Sequence, residues 1–246
     1  MNSCKEVDIV ELRNEHQWPV EKFEAIELQK EFAQHVQILP NFDDVTLIAA
    51  VDTAYGRNAD IIYASAVIYT FPEIDEVEKR FHYAEVKFPY TPGLLYFREG
   101  PAILAALEKL ETTPDLIIVN GHGIADYNRC GLASMVGIAF DIPTIGCARK
   151  LIAGNHREIT PQKGSSQPLF LKDREVGLAY RTKDNVKPLF ISPGHRCDIK
   201  FAKEMVVQNL RGYRMPEPLR FAHQAANKYK RHIEKKYQNK TIYIKE

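Results

Sequence analysis

A chain of 246 residues that is 45% hydrophobic and 26% charged carries enough apolar material to bury a core. That excludes a disordered tail or a short peptide-like module and leaves one large domain or two small ones, of which a single unit over 1–246 is expected. Its longest apolar runs, such as LIIV at 116–119, fall far short of the roughly 20 residues that span a bilayer.

The N-terminal stretch MNSCKEVDIVELRNEHQ carries charges where a signal peptide needs an apolar centre. Cys4, Cys130, Cys147 and Cys197 form no C-x-x-C pair, so a reduced, cytoplasmic, monomeric protein without membrane attachment is expected. The net charge of +1 hides an asymmetry, because the last 48 residues hold 12 Lys and Arg against 4 Asp and Glu. A basic tail with Tyr213, Tyr229 and Tyr237 suits a phosphate backbone; a solvated lysine-rich helix face accounts for the charge at least as well.

Pro19 followed by Val20, Phe23, Ile26 and Ala33 reads as an opening amphipathic helix. Strand-like runs follow at 45–55, 61–71 and 77–88, joined by the short polar links GRNAD and PEIDE, which favour antiparallel neighbours. From Pro101 the spacing turns helical. A buried strand DLIIVN, a small-residue helix GLASMVGIAF and a strand PTIGCA then give a β-α-β-α-β alternation. PLFLKD, EVGLAYRT and PLFISP read as further strands, and 198–211 and 217–236 as helices. The expected fold is α/β, one mixed sheet of antiparallel strands followed by parallel α/β alternation, covered by helices on both faces, with an N-terminal helix and a basic C-terminal helical tail.

Three places carry chemistry. Asp52 interrupts an apolar strand, and a buried charge needs a partner, whether a metal, a lysine or a turn donor. Glu99 precedes Pro101, where an acid at the positive end of a helix needs no further reason. NGHGI follows the buried strand at the sheet end where open α/β folds collect ligands; its His122 reads more readily as a turn-stabilising side chain than as a base. Between them lies PYTPGLL, a stiff loop of two prolines, a tyrosine and a glycine, either a rigid turn or an aromatic wedge for bases.

Taken in order, VDTAY, PYTPGLLYFREGPAILAALEKL, PDLIIVNGHGIADYNRCGLASMVGIAFDIPTIGCARKLI, KPLFISPGHR and YRMPEPLRFAH resemble the endonuclease V family of deoxyinosine-directed repair nucleases, over about residues 20 to 230. The resemblance implies an RNase H-like fold and Mg²⁺-dependent hydrolysis, with Mn²⁺ as a substitute, of inosine-containing DNA or RNA. The cut falls one linkage 3′ of the deaminated base and leaves 3′-hydroxyl and 5′-phosphate ends. It implies Asp52, Glu99 and the residue at 120 as metal ligands, and His223 as a group that orients or activates water. Pro89, Tyr90, Thr91, Pro92 and Gly93 would form a strand-separating wedge whose tyrosine fills the space of the extruded base. Gly93, Gly121 and Gly123, in a turn with His122, would present amides to that base, and Arg149 and Lys150 would contact phosphate.

The chain departs from the family pattern at four places. Asn120 stands where the family has a ligand Asp, Asp126 and Met135 where it commonly has His, and Arg149 where it has Lys. An amide oxygen can coordinate Mg²⁺ but is neutral and takes up no proton, so activity is expected to be impaired unless Asp126 supplies the missing carboxylate or Asn120, followed by Gly121, deamidates. Two other readings stay open: a non-catalytic reader of deaminated purines, and another RNase H-like structure-specific nuclease.

Overall fold

The computed structural model describes residues 10–40 and 44–243, with side chains as far as 237; Cys4 lies outside the described residues. Helix α1 (Lys22–Ala33) is followed by strands β1 (Leu47–Tyr55), β2 (Ile61–Thr70) and β3 (Glu76–Glu85), then helix α2 (Leu95–Leu107), strand β4 (Leu116–Val119), helix α3 (Leu132–Phe140) and strand β5 (Thr144–Ala148). Strands β6 (Ser166–Leu171), β7 (Arg174–Tyr180) and β8 (Leu189–His195) and helices α4 (Ile199–Gln208) and α5 (Glu217–Tyr243) complete the chain.

All eight strands form one sheet in the order β3-β2-β1-β4-β5-β8-β7-β6. The first three are antiparallel, as the short links predict, and β1, β4 and β5 run parallel, as the α/β alternation predicts. The C-terminal ends of β1, β4 and β5 therefore lie side by side. Beyond β5 the sheet reverses into an antiparallel wing of β8, β7 and β6.

Strand alternation sends Ala49, Val51, Ile117 and Val119 into one core with α1, α2 and α3, and Ile48, Ala50, Leu116 and Ile118 into another with α4 and α5. Both faces are thus covered, which is why the central strands are apolar throughout. Among the described residues, no helix is long and apolar enough to cross a membrane, and Cys130, Cys147 and Cys197 are free and buried.

The structure corrects two sequence expectations. Helix α2 starts at Leu95, so Pro101 lies inside it. Burial of Tyr96, Phe97 and Glu99 draws two further turns into the helix despite the lost N–H. On α1 the core side is Ala25, Gln29 and Phe32, with the expected Ile26 and Ala33 packed against the same core, while Val20 and Phe23 stay 63% and 73% exposed. In the basic tail Tyr229 stacks on Phe81 at 4.8 Å, the Tyr237 hydroxyl meets that of Tyr83 at 2.8 Å and Tyr213 lies under the Arg220 guanidinium, with Tyr213 and Tyr237 52% and 49% exposed.

Candidate active site

The site is built where β1 ends. Asp52 points toward α5 and is 5% exposed. Three donors surround it: its own neighbour's amide, Thr53 N, at 2.8 Å from Oδ1, Asn120 Nδ2 at 2.9 Å from the same oxygen, and His223 Nδ1 at 2.9 Å from Oδ2. A carboxylate only accepts, so the imidazole carries its proton on Nδ1 toward Asp52, and this bond holds the His223 pKa above its ordinary value. Nε2 of His223 is left as an acceptor, with Asn227 Nδ2 at 3.2 Å. The open question at Asp52 is thus answered by turn and side-chain donors, with no lysine among them.

Glu99 arrives from α2 on the opposite side of β1 and is 7% exposed. It accepts a 2.5 Å bond from the Tyr55 hydroxyl. Burial, reinforced by the charge of Asp52, pushes its carboxyl up to about 7, against the pull of the Tyr55 and Thr53 bonds. Glu99 sits in the second turn of α2, so its placement is not a favourable charge at a helix start, and it is near enough to Asp52 for the two charges to act on each other. Lys230 of the basic tail bonds the Tyr55 carbonyl at 3.2 Å, and Arg149, exposed just after β5, is near enough to lower the His223 pKa. Lys150 is exposed beside it.

The donor set fits a hard divalent cation: two buried carboxylates, with the Asn120 amide oxygen as a neutral third. Among the described residues, no group of three His, Cys, Asp or Glu is arranged to hold a metal, so Asp126 does not join Asp52 and Glu99 to replace the carboxylate missing at 120. It lies instead beneath the proline-tyrosine loop, 2% exposed, where burial pushes its carboxyl up to about 7 against the amides of Tyr127 and Asn128. Met135, at another departure, is fully buried core.

The glycine turn differs from expectation. Gly121 N donates to Val119 O at 2.8 Å and Gly123 N to Ser192 Oγ at 2.9 Å, so both amides are engaged inside the fold. Gly123 is needed for packing, since a β-carbon there would lie 1.9 Å from the Pro193 carbonyl oxygen. His122 is buried, pushed down to about 4, and donates through Nε2 to Lys150 O at 2.9 Å. It ties the turn to the Arg149–Lys150 segment, the stabilising role that the sequence favoured.

Pro89, Tyr90 and Pro92 are exposed, Tyr90 by 67%, with Thr91 half-buried. Gly93 closes this loop at φ +83°, a backbone state that favours glycine. The loop is held by a residue that the sequence did not single out. Gln29, 1% exposed, donates through Nε2 to Gly93 O at 2.6 Å and Cys130 O at 2.8 Å, and its Oε1 accepts from Asn128 Nδ2 at 2.7 Å. One buried amide thus joins α1, the proline-tyrosine loop and the segment after the glycine turn. Gln29→Met keeps the shape and orphans three polar groups, for an expected loss of about 2–4 kcal/mol in urea unfolding. An unchanged midpoint would show that the amide carries no such load.

With this geometry in place, comparison with known proteins is informative. The Endonuclease V family model matches residues 30–224. The Endonuclease V of Gloeobacter violaceus is 40% identical over 215 residues, 86% of this chain and 87% of its own. The crystal structure of Endonuclease V from Streptomyces avermitilis matches with a TM-score of 0.82 at 36% identity, over 88% of this chain and 96% of that one. Ciona intestinalis Endonuclease V, solved in complex with a 24mer DNA containing an inosine followed by a ribo-adenosine, shares the fold with a TM-score of 0.74 at 24% identity, over 86% and 98% of the two chains. The mixed sheet is accordingly RNase H-like, as expected, and the chain belongs to the endonuclease V family.

Proposed function

We propose that this chain is a metal-dependent endonuclease acting on inosine-containing nucleic acid, cutting one linkage 3′ of the deaminated base, with its rate held down by Asn120. The observation that carries the reading is the meeting of Asp52, Glu99, Asn120 and His223 at the adjoining ends of β1 and β4, beside an exposed tyrosine loop. Asp52, Glu99 and the Asn120 amide oxygen would hold Mg²⁺, with Mn²⁺ as a substitute, and the ion when bound polarises the scissile phosphate and steadies the leaving 3′ oxygen.

The remaining work falls to the protein. His223, oriented by its Nδ1–H bond to Asp52, turns Nε2 outward, and its side chain is 43% exposed, so a water can reach the nitrogen and give it a proton. Glu99 is held by Tyr55 and placed by the helix that the wedge loop leads into. Tyr90 would occupy the stack left by an extruded hypoxanthine, and Arg149 and Lys150 would meet phosphate.

A second reading, a reader of deaminated purines that does not cut, is favoured by the Asn120–Asp52 bond, which leaves the carboxylate satisfied without any cation. Duplexes and matched RNAs carrying inosine or guanine at one position, incubated with the chain and Mg²⁺, separate the readings. Slow cleavage confined to inosine supports the proposal, and selective binding without cleavage supports the reader. Cleavage indifferent to the base would assign the chain to a structure-specific nuclease activity instead.

A further inference from the structure

Next to the wedge loop lies a cleft of about 390 Å³ between residues 127–129 and the β6–β7 turn at 171–174. Arg129, Lys172 and Arg174 line it, with Asp173 as the only acid, so two positive charges are uncompensated. Among the described residues, none of the three cations takes part in an ion pair. Arg129 Nε is buried without a hydrogen-bond partner, as are the Nε atoms of Arg98, Arg196 and Arg214.

Arg129 and Lys172 both have positive φ, 56° each, which at Lys172 belongs to the two-residue turn between β6 and β7. Burial and the facing charge of Arg174 hold Arg129 below its ordinary pKa. Three cations and one acid around a single cleft leave a surface that favours an anion.

The occupant follows from what adjoins the cleft. Tyr127 lines it, is 56% exposed, and packs on the wedge loop so closely that a β-carbon added at Gly93 would lie 2.7 Å from its Cδ2. An exposed aromatic ring bordered by unpaired cations, continuous with a loop that would open a duplex, suits a nucleic-acid strand. Phosphates take the cations and a base or sugar takes the ring.

We propose that Arg129, Lys172 and Arg174, with Tyr127 as a stacking platform, form a phosphate-binding track for substrate flanking the wedge. The track rests on the nucleic-acid reading of the site but reads backbone, not the deaminated base. It therefore governs affinity and salt dependence and leaves base discrimination alone.

The test is the dissociation constant of the full chain for inosine and guanine duplexes over a range of salt, for wild type and for Arg129→Gln, Lys172→Gln and Arg174→Gln combined. Tyr127→Ala is measured separately, and thermal melting checks folding. The combined variant is expected to lower the slope of log affinity against log salt by about 2 to 3 and to keep the inosine-to-guanine ratio. Tyr127→Ala is expected to weaken binding about ten-fold.

An unchanged slope in a folded variant overturns the track and leaves the cleft to an acidic protein surface. Loss of the ratio together with the slope overturns it too, since the cleft would then belong to base recognition. A wild type without inosine preference would instead defeat the functional reading above, and the slope on the guanine duplex would still decide the track.

Discussion

Asn120→Asp is expected to raise Mg²⁺-dependent cleavage of an inosine duplex by on the order of a hundred-fold or more, the scale of change seen when a preorganised electrostatic group is removed or restored. The reason lies in the 2.9 Å contact between Asn120 Nδ2 and Asp52 Oδ1. With the amide in place Asp52 accepts from a neutral donor and needs no ion. With Asp at 120 two carboxylates face each other at that distance, close to a third in Glu99, and only a proton or a cation relieves them. The variant should therefore melt lower than wild type in a chelator and gain stability with added Mg²⁺, by about 2.7 kcal/mol at a hundred times its dissociation constant, while wild type responds less. A variant that neither cuts nor shifts its melting with Mg²⁺ would sink the assignment of these residues to a metal. Deamidation of Asn120 would mimic the substitution in an ageing preparation, but the fold opposes it. The Gly121 nitrogen, which must attack the side chain, is bonded to Val119 O, and the amide itself is held by Asp52. Peptide mass spectra of the active sample, showing no added mass at that position, would exclude deamidation as the source of any activity.

What was legible in the chain was whatever breaks a local pattern. Asp52 stands out in an apolar strand, and the short polar links around it predict the antiparallel neighbours that are found. The partners of Asp52 were less legible, because Asn120 and His223 lie 68 and 171 positions away, and only the family resemblance brought them together. Glu99 was singled out but set at the wrong place in its helix, since Pro101 reads as a helix start by propensity while burial of the preceding aromatic residues overrides it. Gln29 was invisible for a related reason. A polar residue on an amphipathic helix reads as solvent-facing, and its value comes from carbonyls 64 and 101 residues distant. Ile26 and Ala33 keep to the core as the periodicity predicts, but Phe23 faces outward and the polar Gln29 faces inward, which the pattern does not foretell. The glycines of the 121–123 turn are sites of close approach, yet what approaches in the structure is the protein itself, the Leu132 side chain at Gly121 and the Pro193 backbone at Gly123.

Asp126→Asn is expected to stabilise the protein, and to do so more at high pH. The Asp126 carboxyl is 2% exposed and pushed up to about 7 from its ordinary 3.8. Because the folded value lies above the unfolded one, the folded state binds the proton more tightly. Stability linked to this group is complete below about pH 4, is lost as pH rises toward 7, and is level beyond. An asparagine has no charge to bury and can still accept from the Tyr127 and Asn128 amides through its side-chain oxygen. The gain over wild type in urea unfolding should be about 2 kcal/mol larger at pH 8 than at pH 5. Glu99 contributes a slope of the same sign in both proteins, so the difference between them isolates Asp126. An equal gain at the two pH values would mean that Asp126 is already ionised and solvated in the folded state. The pH-dependent gain would instead identify a destabilising acid kept directly beneath the loop that carries Tyr90, where Gln29 already binds Gly93. On that outcome the chain gives up stability directly beneath the exposed proline-tyrosine loop, a cost that functional sites commonly carry.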